Sequence, residues 1–97
     1  MNVVLPIGSV VKIKDLDFPL MIFGFMQSVP ALNDEVADYI GVPYPTGNID
    51  LRYQFGFMMS DITEVLFTGY ETDDFKDMKT VLEVMKTVRE LAEKEKA

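Results

Sequence analysis

The side chains able to do chemistry in this sequence are almost all carboxylates. There are 16 Asp and Glu residues and no histidine or cysteine. Six acids, Asp61, Glu64, Glu71, Asp73, Asp74 and Asp77, fall in one stretch against the single base Lys76. Glu71, Asp73, Asp74 and Asp77 are the oxygen donors that a hard cation such as calcium takes up. The glycine that turns an EF-hand loop is missing from the run, however. Carboxylates also gather at a helix start with no metal present, because the amino-terminal end of the helix dipole is positive. The second reading is preferred, and no metal is expected. Acid–base catalysis by these carboxylates lacks a histidine or an evident nucleophile as second player. Paired acids can hydrolyse a glycosidic bond, but that chemistry needs a cleft that 97 residues scarcely provide. The expectation is a protein that is not an enzyme, with no catalytic residues and no cofactor.

The elements that would carry these acids belong to a single domain, 1–97. With 48% hydrophobic residues, the chain can bury one core and not two. Its formal net charge of −7 repels phosphate backbones and anionic lipid headgroups, so neither nucleic acid nor a membrane is an expected partner. The first residues have no basic region ahead of their apolar stretch, which ends at Pro6 and Gly8, unlike a signal peptide. The most apolar window, Leu20 to Met26, is far shorter than a membrane-spanning helix. A cytoplasmic location follows as an expectation.

Periodicity divides the chain in two. Residues 5–70 read as β-rich: short runs of β-branched and aromatic residues punctuated by Gly and Pro. Val11 and Ile13 alternate with Lys12 and Lys14 in a first strand, and a turn over Asp15–Pro19 leads to a second at Leu20–Gln27. Gly24 inside that strand predicts a bulge or a close backbone approach. Ser28–Ala37 reads as a loop, Asp38–Val42 as the third strand, Leu51–Met58 as the fourth and Ile62–Phe67 as the fifth. Connections this short favour antiparallel pairing. Beyond Tyr70, Phe75, Met78, Val81, Leu82, Met85, Val88 and Ala92 recur every three or four residues, an amphipathic helix over about 73–95. Thr72, Asp73 and Asp74 are its cap candidates. At 1.5 Å per residue it runs roughly 33 Å, against about 20 Å for six-residue strands, so the last two turns, from Glu90 onward, should be either frayed or free for another contact. The fold class is α+β: about five short antiparallel strands, a small sheet or partly open barrel, and one long C-terminal helix.

The second candidate surface is aromatic and sulfurous. Tyr39, Tyr44, Tyr53, Phe55, Phe57, Met58 and Met59 surround the turn Pro43-Tyr44-Pro45-Thr46-Gly47-Asn48. Phe55 and Phe57 read as core. Tyr44, between two prolines, should be partly exposed, and Met58-Met59 is an adaptable pair of the kind that accommodates a partner's helix. The expected partner-binding residues are Tyr39, Pro43, Tyr44, Pro45, Met58 and Met59.

Three segments carry a resemblance: Leu5-Pro6-Ile7-Gly8-Ser9-Val10-Val11, Asp38-Tyr39-Ile40-Gly41-Val42-Pro43-Tyr44-Pro45-Thr46-Gly47, and Asp61-Ile62-Thr63-Glu64-Val65-Leu66-Phe67-Thr68-Gly69-Tyr70. Together with Leu20-Met21-Ile22 and Gly24 they resemble domain-of-unknown-function family 4176 over most of residues 5–70. Thr46, where glutamate is common, and the apolar run Phe23–Met26 depart from that pattern. Members of the family occur in Gram-positive bacteria, encoded beside LXG-domain toxins and small helical partners of the type VII secretion system. The resemblance implies a cytoplasmic accessory protein that binds the helical LXG region of a toxin, as chaperone or targeting factor, alone or with those small helical partners. It brings no catalytic residue. The alternative is an immunity protein that blocks the toxin domain, with the Asp61–Asp77 acids as its contact. The sequence leaves the oligomeric state open.

Overall fold

In a computed structural model, residues 4–29 and 35–96 are described. Among these residues five strands are formed: β1 (Val10–Ile13), β2 (Leu20–Val29), β3 (Glu35–Pro43), β4 (Phe55–Phe57) and β5 (Ile62–Phe67). They make one open sheet in the order β4-β3-β2-β1-β5, each pairing antiparallel. One helix, α1 (Asp73–Lys96), follows. This is the expected α+β class. Among the described residues no helix is long and apolar enough to cross a membrane.

Strands β1 to β4 form a meander, yet β5 pairs beside β1 and not beside β4. The crossover is a single 3-10 turn, Met59–Asp61. Met59 N–H donates to Asp38 Oδ2 of β3 at 2.7 Å, and two residues later the Asp61 carbonyl accepts from Lys14 N–H, just past β1, at 2.9 Å. A flat five-stranded sheet would hold its outer strands about 19 Å apart, at ~4.8 Å per gap. A turn this short spans much less, so the sheet must curl until its two edges approach. Bulges supply the bend. The β2–β3 register slips between Ile22 and Gly24, where a Cβ on Gly24 would lie 2.9 Å from Gln27 Nε2. The β1–β5 register slips twice more.

The curl encloses one core. Val11, Leu20, Ile22, Tyr39, Phe57, Met59 and Ile62 meet Val4 and Leu5 of the leading segment, and α1 adds Phe75 and Leu82. Tyr39 sits at the centre, with ring centroids 5.4 Å from Phe57 and 5.9 Å from Phe25. Its hydroxyl accepts from Leu5 N–H at 3.0 Å, pinning the leading segment to the sheet. Burial pushes the phenol up to about 12, outweighing the Leu5 hydrogen bond that lowers it. Gly69 closes the other end of that segment. Its N–H donates to the buried Ser9 Oγ at 2.9 Å, and a Cβ there would collide with the Ile7 carbonyl.

Several boundaries differ from the sequence expectation. The expected fourth strand, Leu51–Met58, is reduced to Phe55–Phe57, and Leu51–Tyr53 is a 3-10 turn. Asp50 Oδ1 accepts from Arg52 N–H at 2.9 Å and the Arg52 guanidinium returns to the same carboxylate, a local arrangement that competes with a strand ladder. Leu51, 81% exposed, gains nothing from strand burial. The expected loop Ser28–Ala37 is shorter as well. Ser28 pairs with Val36 and Val29 with Glu35, while residues 30–34 lie outside the described residues. Helix α1 starts at Asp73, as Thr72 Oγ1 accepts from Phe75 N–H at 3.1 Å.

Candidate functional site

The six residues expected to bind a partner separate into two environments. Tyr39 and Met59 are core residues, 0% and 2% exposed, and cannot meet a partner without unfolding the sheet. Met58 is half-buried, and its N–H donates to Asp61 Oδ2 at 3.0 Å, closing the crossover turn. Pro43 ends β3 half-buried, and Tyr44 and Pro45, joined by a cis peptide bond, stand at the surface. The continuous aromatic–methionine patch is therefore not formed. Strand alternation explains why: Tyr39 points to the concave side of a curled sheet, and the 3-10 turn rotates Met59 inward.

Tyr44, 52% exposed, instead faces neighbours that sequence spacing did not bring to it. With Gly8, Val10, Pro19, Met21, Leu66 and Phe67 it lines an apolar groove of about 620 Å³ on the convex side. The register Phe67↔Val10↔Met21↔Val42 sets four apolar residues in a row across four strands there. The signal in the sequence was Val65-Leu66-Phe67. Three consecutive apolar residues in a strand mean that both faces are apolar.

The larger uncovered surface is α1. Among the described side chains of α1, Phe75, Lys79, Leu82 and Lys86 are the most covered by the body, with Phe75 and Leu82 each 7% exposed. Met78, Val81, Val84, Met85, Val88 and Leu91 are between 39% (Met78) and 59% (Val88) exposed. At 3.6 residues per turn those six fall within an arc of about 140°, while Lys79, Glu83, Lys86 and Glu90 fall outside it. The helix is thus rolled so that the sheet takes one border of the apolar stripe and leaves the rest in water. Met26 and Val36 of the β2–β3 hairpin meet Val84, Met85 and Val88 in a second apolar groove of about 330 Å³. Val84 and Leu91 lie outside the single stripe expected from Phe75, Met78, Val81, Leu82, Met85, Val88 and Ala92. A face this wide exceeds what one contact needs, and that width was the available signal.

The acids Glu71, Asp73, Asp74 and Asp77 are all exposed around the start of α1, with Lys76 Nζ 3.8 Å from Asp73 Oδ1. Among the described residues no three carboxylates gather as a cation cage. The arrangement is a solvated, capped helix start with a negative field.

The family model described as a domain of unknown function (DUF4176) matches residues 4–78, and the chain belongs to that family. The match ends within α1, so Val81, Val84, Met85, Val88 and Leu91 lie beyond it. No curated protein and no solved structure matches the chain.

Proposed function

We propose that this member of the DUF4176 family is a non-enzymatic accessory protein that holds an amphipathic helix of another protein against α1. The observation carrying this reading is the exposed apolar face Met78–Leu91, of a width that natural surfaces keep covered. Helix-in-groove recognition uses anchors at three- and four-residue spacing, which Val81, Val84, Val88 and Leu91 supply from this side. The partner we assign is the helical LXG region of a type VII secretion toxin, bound in the cytoplasm before export, with the chain acting as chaperone or targeting factor. That assignment rests on what the family resemblance of the sequence implies. Co-purification with toxin fragments tests it: the LXG region should be retained and the isolated C-terminal toxin domain should not. Retention of the C-terminal domain alone contradicts the chaperone role.

The exposed acids between Glu71 and Asp77 favour one other reading, an immunity protein steered onto a basic toxin domain. Salt separates the two. A charge-steered contact loses association rate as ionic strength rises, and an apolar clamp changes little.

A further inference from the structure

Resting on the helix-binding reading above, we infer that α1 receives its partner helix antiparallel, with a lysine- or arginine-rich carboxy-terminal end of that helix lying over Asp74 and Asp77. The apolar arc does not stop at Met78. At 3.6 residues per turn Asp74 and Asp77 fall on the same arc, one turn toward the amino terminus. A helix seated along Val81, Val84, Val88 and Leu91 therefore runs directly over two exposed carboxylates. Glu71 and Asp73 flank them, and the one base within that turn, Lys76, stands beside Asp73. The rest of the arc, from Met78 to Leu91, holds no charged residue. Beyond Leu91 the sequence balances Glu93 and Glu95 with Lys94 and Lys96, so the net negative charge of the seat lies at its Asp74–Asp77 end, and that asymmetry selects a direction. A helix stabilises lysine and arginine near its own carboxy terminus, and antiparallel packing opposes the two helix dipoles. Both effects place the partner's basic end over Asp74 and Asp77.

A second copy of this chain fits the same seat poorly. A pair of this kind would bring one chain of net charge −7 onto another.

The test uses the full chain and two synthetic amphipathic peptides of equal composition. Both carry leucines at alternating three- and four-residue spacing. One has its lysines in the last turn and the other in the first. At low salt the carboxy-terminal-lysine peptide should bind about tenfold more tightly, a gap that shrinks to about twofold at high salt. Asp74→Asn with Asp77→Asn should abolish the preference, with helix content checked by circular dichroism. Val84→Gln with Val88→Gln, at exposed positions that leave the core intact, should weaken both peptides at least about tenfold. Equal or reversed peptide affinities overturn the direction inferred here and leave the helix-binding reading standing. Unchanged binding of both peptides by the Val84/Val88 variant overturns that reading itself. A dimeric chain that neither peptide dissociates assigns the seat to a second copy and overturns the inference.

Discussion

The concave face of the sheet and the outer face of α1 are built from the same residue types and meet opposite fates. Val11, Leu20, Ile22 and Ile62 are closed off by the curl of the sheet and by the leading segment, whereas Val81, Val84, Val88 and Leu91 each remain more than half exposed. Apolarity alone does not decide burial; connectivity does. The four-residue crossover from β4 to β5 draws the sheet edges together and fills the concave side, so little room is left for the helix to seat more than Phe75 and Leu82. What remains of the stripe is surface with a hydrophobic driving force, bordered among the described residues by Met26 and Val36.

Truncation on the two faces should separate them sharply. Phe57→Ala removes a core ring packed on Tyr39 and should cost about 3–5 kcal/mol in urea unfolding. A loss below ~1 kcal/mol would mean that the curl encloses less than described. Tyr39→Phe keeps the ring and deletes the acceptor for Leu5 N–H, for an expected loss of about 1–3 kcal/mol. The same phenol predicts an alkaline limit. Its folded-state value is raised to about 12 from 10.0, so stability is full below pH 10 and falls as pH rises from there through about 12. Thermal melts across that range should show the decline in the wild type and a shallower one in Tyr39→Phe.

The helix responds to smaller things. Thr72→Ala removes the hydroxyl that caps Phe75 N–H and should cost about 1 kcal/mol, read as earlier loss of helical circular dichroism. Val88→Ala, 59% exposed, should change stability by no more than about 0.5 kcal/mol. A larger loss would show that α1 leans on the body more than Phe75 and Leu82 account for, and would erase the contrast between the faces.

Much of this architecture was legible in the residues. Ile62–Phe67 forms the expected strand because its β-branched run is bounded by Ser60-Asp61 and Gly69, and Gly24 marks the bulge its missing side chain permits. Leu51–Tyr53 escaped because the interaction that decides it, the Arg52 guanidinium on Asp50, is a side-chain geometry with no periodic trace. The helix was legible in extent and not in roll: spacing identifies a stripe, but which border docks depends on where the sheet leaves space. The binding set fared similarly. Tyr44 and Pro45 reach the surface, as a proline-flanked turn should, whereas Tyr39 and Met59 are taken inward by a curl that arises from pairing between residues far apart in sequence.

A helix seated on the outer face of α1 is open to direct measurement. The measurement is titration of the helical LXG region proposed above as partner into the wild-type chain and into the Val84→Gln, Val88→Gln variant. Saturable binding to the wild type is expected, with an affinity at least about tenfold weaker for a variant that melts at the wild-type temperature. Equal affinity for the two proteins would contradict it.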